Sequence, residues 1–177
     1  SAWTASIEIY IDVALVAQSD FIVFSPGRWG QNFFHKEKGV PLNQICMISN
    51  FVGFALDHLK QKPKNPKTLI LAGHPAKLAK VIDGHWDTHS SKSPSALPTI
   101  LNAVRNLLPD DFIEESQKPK TVEHLIQLCK QNQIHDKIFE SIAKQISQTV
   151  YQYIDKKMPV EVLLADFEGK LIGRALT

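Results

Sequence analysis

The spacing of hydrophobic positions changes several times along the chain, and each change marks an element. Ile7, Tyr10, Ile11, Ala14 and Leu15 recur three or four residues apart, which predicts an amphipathic helix over residues 4–18 despite its β-branched content. A short apolar run, Phe21 to Phe24, predicts a strand that breaks at Ser25-Pro26-Gly27. A polar and aromatic loop follows through Arg28, Trp29, Gly30, Gln31 and His35 to Pro41. Gln44 to Ile48 predicts a second strand, and Asn50 is placed to cap a helix with Phe51, Phe54, Ala55 and Leu59 facing inward. Lys62-Pro63-Lys64-Asn65-Pro66 ends that helix, and Thr68 to Ala72 forms the third strand. Pro75 suits the first turn of a brief helix carrying Lys77 and Lys80, which Gly84 stops.

Beyond Ser90, a Ser/Pro-containing stretch runs to Pro98 and leads into a helix with Ile100, Leu101, Val104 and Leu108 inward, ended by Pro109. Residues 110–120 are charged and predict a surface loop. Helices are expected over 121–131 and 135–155, the second marked by Ile138, Ile142, Ile146 and Val150 at spacing four. Val160 to Ala165 and Leu171 to Leu176 predict two strands joined by a turn at Glu168-Gly169. This alternation predicts one α/β domain over residues 1–177. Its fold class is Rossmann-like, a mostly parallel sheet with helices on both faces and a C-terminal antiparallel hairpin.

Composition adds exclusions more than chemistry. With 177 residues and 44% hydrophobic content the chain can bury one core, and no internal repeat divides it. The net charge is +2, with lysines and arginines interleaved with acids, which is not the stripe that nucleic acid selects. Cys46 and Cys129 lie in apolar segments and read as buried thiols of a reducing compartment. No apolar run approaches the roughly 18 residues of a membrane span, and Ser1-Ala2-Trp3-Thr4 does not resemble a signal sequence. A soluble, cytoplasmic protein is expected.

The three central strands end in Ser25-Pro26-Gly27, Ser49-Asn50 and Gly73-His74, small or polar groups that could line a common crevice at the carboxyl edge of a parallel sheet. His74, His85, Asp87 and His89 offer metal-ligating chemistry for a hydrolase, but Gly84 breaks the helix before His85 and the spacing of zinc proteases is absent. No metal is therefore assigned. Gly27-Arg28-Trp29-Gly30 lacks the third glycine of a dinucleotide fingerprint, and Ser49-Asn50 stands where that fold needs an acid. There is neither a nucleophile elbow nor a Walker loop. Lys77, Lys80, Lys92 and Arg105 read either as solvated face charges, the usual case, or, being close in sequence to the candidate crevice, as groups for an acidic ligand. Arg28, between two glycines, can fork two hydrogen bonds to a carboxylate.

Several blocks carry a family resemblance. Gly73-His74-x-x-Lys77-Leu78-x-Lys80 and Gly84-x-x-x-Thr88-His89-Ser90 are preceded by Asp12-Val13-Ala14-Leu15, Ser25-Pro26-Gly27-x-x-Gly30 and Asn50-Phe51-Val52-Gly53-Phe54-Ala55-Leu56, and followed by Glu168-Gly169. In this order they resemble the CbiD family, the cobalt-precorrin-5B C-1 methyltransferases of anaerobic cobalamin biosynthesis. The resemblance covers nearly all of the chain but only the C-terminal part of the family, so it implies a portion of a longer protein or a shortened homologue. His85-Trp86-Asp87 and Arg28-Trp29 depart from the family pattern.

The resemblance implies S-adenosylmethionine as cosubstrate and a cobalt-precorrin tetrapyrrole as acceptor. Ser25, Gly27, Gly30, Asn50 and Gly73 would then hold the cosubstrate, and Arg28, Lys77, Lys80, Thr88 and Ser90 the acceptor. His74 and His89 would be the groups able to take a proton. Nucleic acid and membrane are not expected partners, and a homo-oligomer is compatible with this reading. A binding fragment without chemistry and a metal-dependent hydrolase are the alternatives.

Overall fold

The computed structural model describes residues 1–17, 19–112 and 118–177. Helix α1 (Ala2–Val16) precedes β1 (Phe21–Ser25), a one-turn α2 (Arg28–Gln31), β2 (Ile45–Met47) and α3 (Val52–Lys60). Then come β3 (Thr68–Gly73), the short α4 (Pro75–Leu78), α5 (Leu97–Ala103), α6 (Val122–Gln131) and α7 (His135–Tyr153), and finally β4 (Val160–Ala165) and β5 (Leu171–Leu176). The five strands form one sheet in the order β2-β1-β3-β4-β5. The first four run parallel, and β4 pairs with β5 antiparallel. The α/β class and the closing hairpin are as the sequence predicts.

Period-two alternation on the strands divides the core into two layers of unequal size. Ile22, Phe24, Leu69, Leu71, Val162 and Leu164 pack with Ile7, Leu56, Ile100, Leu125 and Ile142, so all the longer helices share one cluster. On the other side Val23, Ile45, Ile70, Ala72 and Leu163 form a smaller cluster with Phe34, joined by Trp29 and Phe33. That face is covered by α2 and the π-helix that continues it (Asn32–Glu37), where the sequence pattern predicts a loop. Trp29 stacks on Phe33 at 5.0 Å and Phe33 meets Phe34 edge-on at 5.1 Å, so aromatic packing, not helix propensity, orders this segment.

Other departures are local. Asn50 does not cap α3; the cap position is Phe51, with no side-chain hydrogen bond, and Asn50 instead accepts from Ser49 Oγ and donates its amide to Asp87. The helix after Pro98 breaks at Val104 into a 3-10 turn, Arg105–Leu107. Gly84 stops the Lys77/Lys80 helix as expected, at φ +82°, a conformation that a Cβ disfavours. Of the charged stretch 110–120, Asp110–Phe112 forms a 3-10 turn, while 113–117 lies outside the described residues, as does residue 18 at the end of the first predicted helix. Both cysteines are free and buried, and burial pushes each thiol up to about 12. No helix among the described residues is long and apolar enough to cross a membrane.

Candidate functional site

In this strand order the chain leaves β1 toward β2 on one side and leaves β3 toward β4 on the other. The carboxyl ends of β1 and β3 are therefore a topological switch point, where diverging connections open a crevice. A cavity of about 230 Å³ lies there, lined by Gly27, Arg28, Trp29, Gly73, His74 and Lys77 from the loops after β1 and β3 and by Asp166, Phe167 and Gly169 beyond β4. Because β4 is parallel to β3, its end contributes to the same edge.

At the end of β1, the buried Ser25 hydroxyl donates to the Gly27 carbonyl and fixes the turn. Gly30 then passes directly over Ser25. A Cβ at residue 30 would stand 2.3 Å from Ser25 Oγ and 2.8 Å from its Cβ. Gly30→Ala is expected to destabilise the chain by about 1–3 kcal/mol, the cost of overpacking a filled contact. Urea unfolding measures this; unchanged stability would mean α2 can slide off the strand end.

At the end of β3, His74 caps α4: its Nδ1 accepts the Ala76 N–H at 3.0 Å. The other nitrogen must then carry the proton, and Nε2–H donates to Glu123 Oε2 at 2.7 Å. Glu123 Oε1 accepts from the Gln127 amide at 3.1 Å and from the Phe167 N–H at 3.4 Å. One carboxylate on α6 therefore ties together the loops after β3 and β4. The His74 ring stacks on Phe167 at 4.2 Å between centroids, and Phe167 is 74% exposed. With both nitrogens engaged, His74 offers no free lone pair for a proton; its bonding is that of a positioning group.

At the end of β4, Asp166 is buried and its carboxylate accepts from the Lys130 ammonium and from the Lys170 N–H at 2.9 Å. The turn it holds presents the Gly169 carbonyl to Trp29, whose indole N–H donates at 2.8 Å. Trp29 thereby fastens α2 to the far wall of the cavity. Lys77 lies at the rim, its pKa lowered by partial burial and secondarily by the Lys80 charge. Asp166 being paired with Lys130, the Arg28 and Lys77 charges dominate the opening, which suits an anion.

The other predicted residues sit beside this cavity without lining it. Asn50, at the end of β2, donates to Asp87 Oδ1 at 2.7 Å. Burial raises the Asp87 pKa, but the Asn50 and His89 N–H bonds and the neighbouring His89 and Lys92 charges outweigh it, and the net direction is down. Thr88 is buried, and its N–H donates to the Asn50 carbonyl at 3.0 Å. The Lys80 ammonium is buried too, donating to the Thr88 carbonyl at 3.0 Å and Ser93 Oγ at 3.1 Å. Lys80 thus braces the 84–93 loop instead of facing a ligand. His89 and Ser90 are exposed, and His89 Nδ1 accepts the Ser91 N–H at 3.1 Å. Among the described residues no three His, Cys, Asp or Glu side chains gather as a metal site, so the hydrolase reading finds no ligand set in His74, His85, Asp87 and His89.

The model of the CbiD C-terminal domain matches residues 87–176, just over half of the chain. The chain belongs to the CbiD family. A Ralstonia nicotianae protein named cobalt-precorrin-5B C(1)-methyltransferase is 33% identical over 180 residues, which is 99% of this chain and 47% of that protein. Relatives of the same name from Chromobacterium violaceum and Syntrophotalea carbinolica are 31% and 30% identical, covering 99% and 95% of this chain and 48% and 46% of their own. The chain thus spans about half the length of the curated relatives it matches. No solved structure matches it.

Within CbiD, the departures noted at Trp29, Trp86 and Asp87 each have a structural counterpart here. Trp29 bonds the Gly169 carbonyl, and Asp87 takes the Asn50 amide. Trp86 packs on Tyr153 at 4.0 Å, while its carbonyl accepts the Gly53 N–H at 3.0 Å. Trp29, Glu123, Asp166 and Phe167 are the site residues that sequence reasoning missed. The signal that could have found the last two is the parallel direction of β4, which puts Asp166-Phe167 beside Gly73-His74.

Proposed function

We propose that this chain supplies the carboxyl-edge half of the site for S-adenosylmethionine-dependent methylation of cobalt-precorrin-5B at C-1, a step of anaerobic cobalamin biosynthesis. The observation that carries the reading is the switch-point cavity with Arg28 and Lys77 at its mouth, in a CbiD chain. S-adenosylmethionine supplies an electrophilic methyl group on its sulfonium. The residues present fit such a ligand pair chemically. Gly27, with nothing within 4 Å of where its Cβ would stand, leaves its backbone open to close approach, and the exposed Phe167 face offers a stacking platform. Arg28 and Lys77 suit the carboxylates that rim a precorrin macrocycle.

Carbon methylation demands alignment and exclusion of water more than a strong acid or base. His74, held from both nitrogens, keeps the cavity wall in place. Of the two candidate histidines, His89, whose Nε2 makes no hydrogen bond among the described residues, is the one left to take a proton. Ser25, Gly30, Asn50, Lys80 and Thr88 shape the strand-end loops in this reading, and Ser90 stands at the surface beside them.

Titration of the chain with a cobalt corrinoid tests it. Arg28→Ala and Lys77→Ala are each expected to weaken binding by about 1–3 kcal/mol, the scale of a charge-assisted hydrogen bond. Unchanged affinity in both variants at low salt would return these side chains to ordinary solvated surface. A turnover assay separates catalysis from binding alone.

A further inference from the structure

Helix α1 carries an exposed apolar stripe that adjoins its buried face. Ile7, Ile11 and Ala14 are buried against the core, while Trp3, Ile9, Tyr10, Val13 and Val16 are 43–80% exposed. At 3.6 residues per turn these five outward side chains fall within an arc of roughly 140°, a stripe in which Ser6 is the polar member. Glu8 and Asp12 separate the stripe from the buried face along one flank. At the carboxyl end of the stripe, Val16 and Leu15 join Pro63 in a shallow depression rimmed by Lys62 and Lys64. An amphipathic helix ordinarily turns its apolar positions to the core, and here a second set of them is uncovered.

The size of the stripe indicates what kind of partner could cover it. Fifteen residues make a helix about 22 Å long. A stripe of that length and about 10 Å width offers on the order of 200–400 Å². A stable dimer of two free copies needs about 800 Å² on each partner. A surface this small suffices when the partner is tethered, because a covalent link raises its effective concentration to the millimolar range. The matched relatives carry slightly more than half of their length outside the region this chain covers, and the matching family model is that of a C-terminal domain. We propose that the outward stripe of α1 is the seat of that other half, an apolar surface carried on the same polypeptide. The inference does not depend on the catalytic reading.

Hydroxyl-radical footprinting tests it in two proteins: this chain alone, and a fusion placing the unmatched half of the Ralstonia nicotianae relative ahead of Ser1. Trp3, Ile9, Tyr10, Val13 and Val16 are expected to oxidise readily in the chain alone and at least about fivefold more slowly in the fusion, the change expected when exposed apolar surface is covered. The matching helix of the intact relative serves as the folding control and should be protected in the same way. Ile9→Glu should leave the melting of the isolated chain unchanged and abolish protection of the other four in the fusion. Equal oxidation in the chain alone and in the intact relative would overturn the proposal. Protection in the isolated chain that grows with its concentration would also overturn it, by making a second copy the occupant.

Discussion

Given S-adenosylmethionine and cobalt-precorrin-5B, these 177 residues alone are expected to methylate at least about a hundredfold more slowly than a full-length relative. The reason is geometric. A drug-sized ligand is normally enclosed by a pocket of about 300–1,000 Å³. The switch-point cavity is about 230 Å³ and has walls from the strand-end loops only, too little to enclose a macrocycle together with a methyl donor. Methyl transfer needs the reacting atoms about 3–3.5 Å apart and in line, and a misplacement of about 1 Å costs on the order of a hundredfold. Binding is less demanding, so corrinoid affinity should survive where turnover does not. Mass-spectrometric detection of the methylated product, with the Ralstonia nicotianae relative as reference, makes the comparison. A rate close to that of the reference would show that the chain builds a complete site.

How far the fold could be read in advance followed from how local each signal was. Phe21–Phe24 and Thr68–Ala72 are short apolar runs bounded by Pro and Gly, and both became strands within a residue of expectation. The segment after Gly27 was opaque for the opposite reason. Its glycines and polar residues look like a loop, while the value of Trp29, Phe33 and Phe34 depends on a sheet face that exists only after β1, β2 and β3 are side by side. The site behaves alike. Gly27, Gly73 and His74 could be placed together because each ends a predicted parallel strand. Lys80 resembles a solvated lysine in sequence, and nothing local announces that its ammonium will be buried against the Thr88 carbonyl. The Glu123–His74 bond joins residues 49 apart and the Lys130–Asp166 pair residues 36 apart, so neither has a sequence pattern. Asn50 shows a local rule losing to a tertiary one: α3 starts one residue later, with Phe51 at the cap, and the Asn50 amide donates to the Asp87 carboxylate.

Asp166→Ala is expected to destabilise the chain by about 3–5 kcal/mol, because it leaves the partly buried Lys130 ammonium without its partner and the Lys170 N–H without an acceptor. The same side chain sets an acid limit. Burial raises the Asp166 pKa, but hydrogen bonds from Lys130 and the Lys170 N–H, the Lys130 charge and the Glu168 N–H together outweigh it, and the net direction is below the ordinary 3.8. A carboxyl whose folded pKa lies below its unfolded value contributes stability that is fully present above the unfolded pKa and is lost as pH falls through the folded one. Wild-type stability should therefore fall below about pH 4 from this group, while Asp166→Asn, which cannot ionise, should be less stable near neutrality and flatter through that window. Urea unfolding at a series of pH values measures both. The effect should reach the site, since the Asp166 turn presents the carbonyl that holds Trp29. The Trp29 indole N–H resonance should shift in Asp166→Asn and in wild type at acid pH. Parallel stability curves for wild type and Asp166→Asn would mean that the Lys130 pair contributes nothing net, and that the cavity wall stands on the aromatic packing of Trp29 and Phe33 instead.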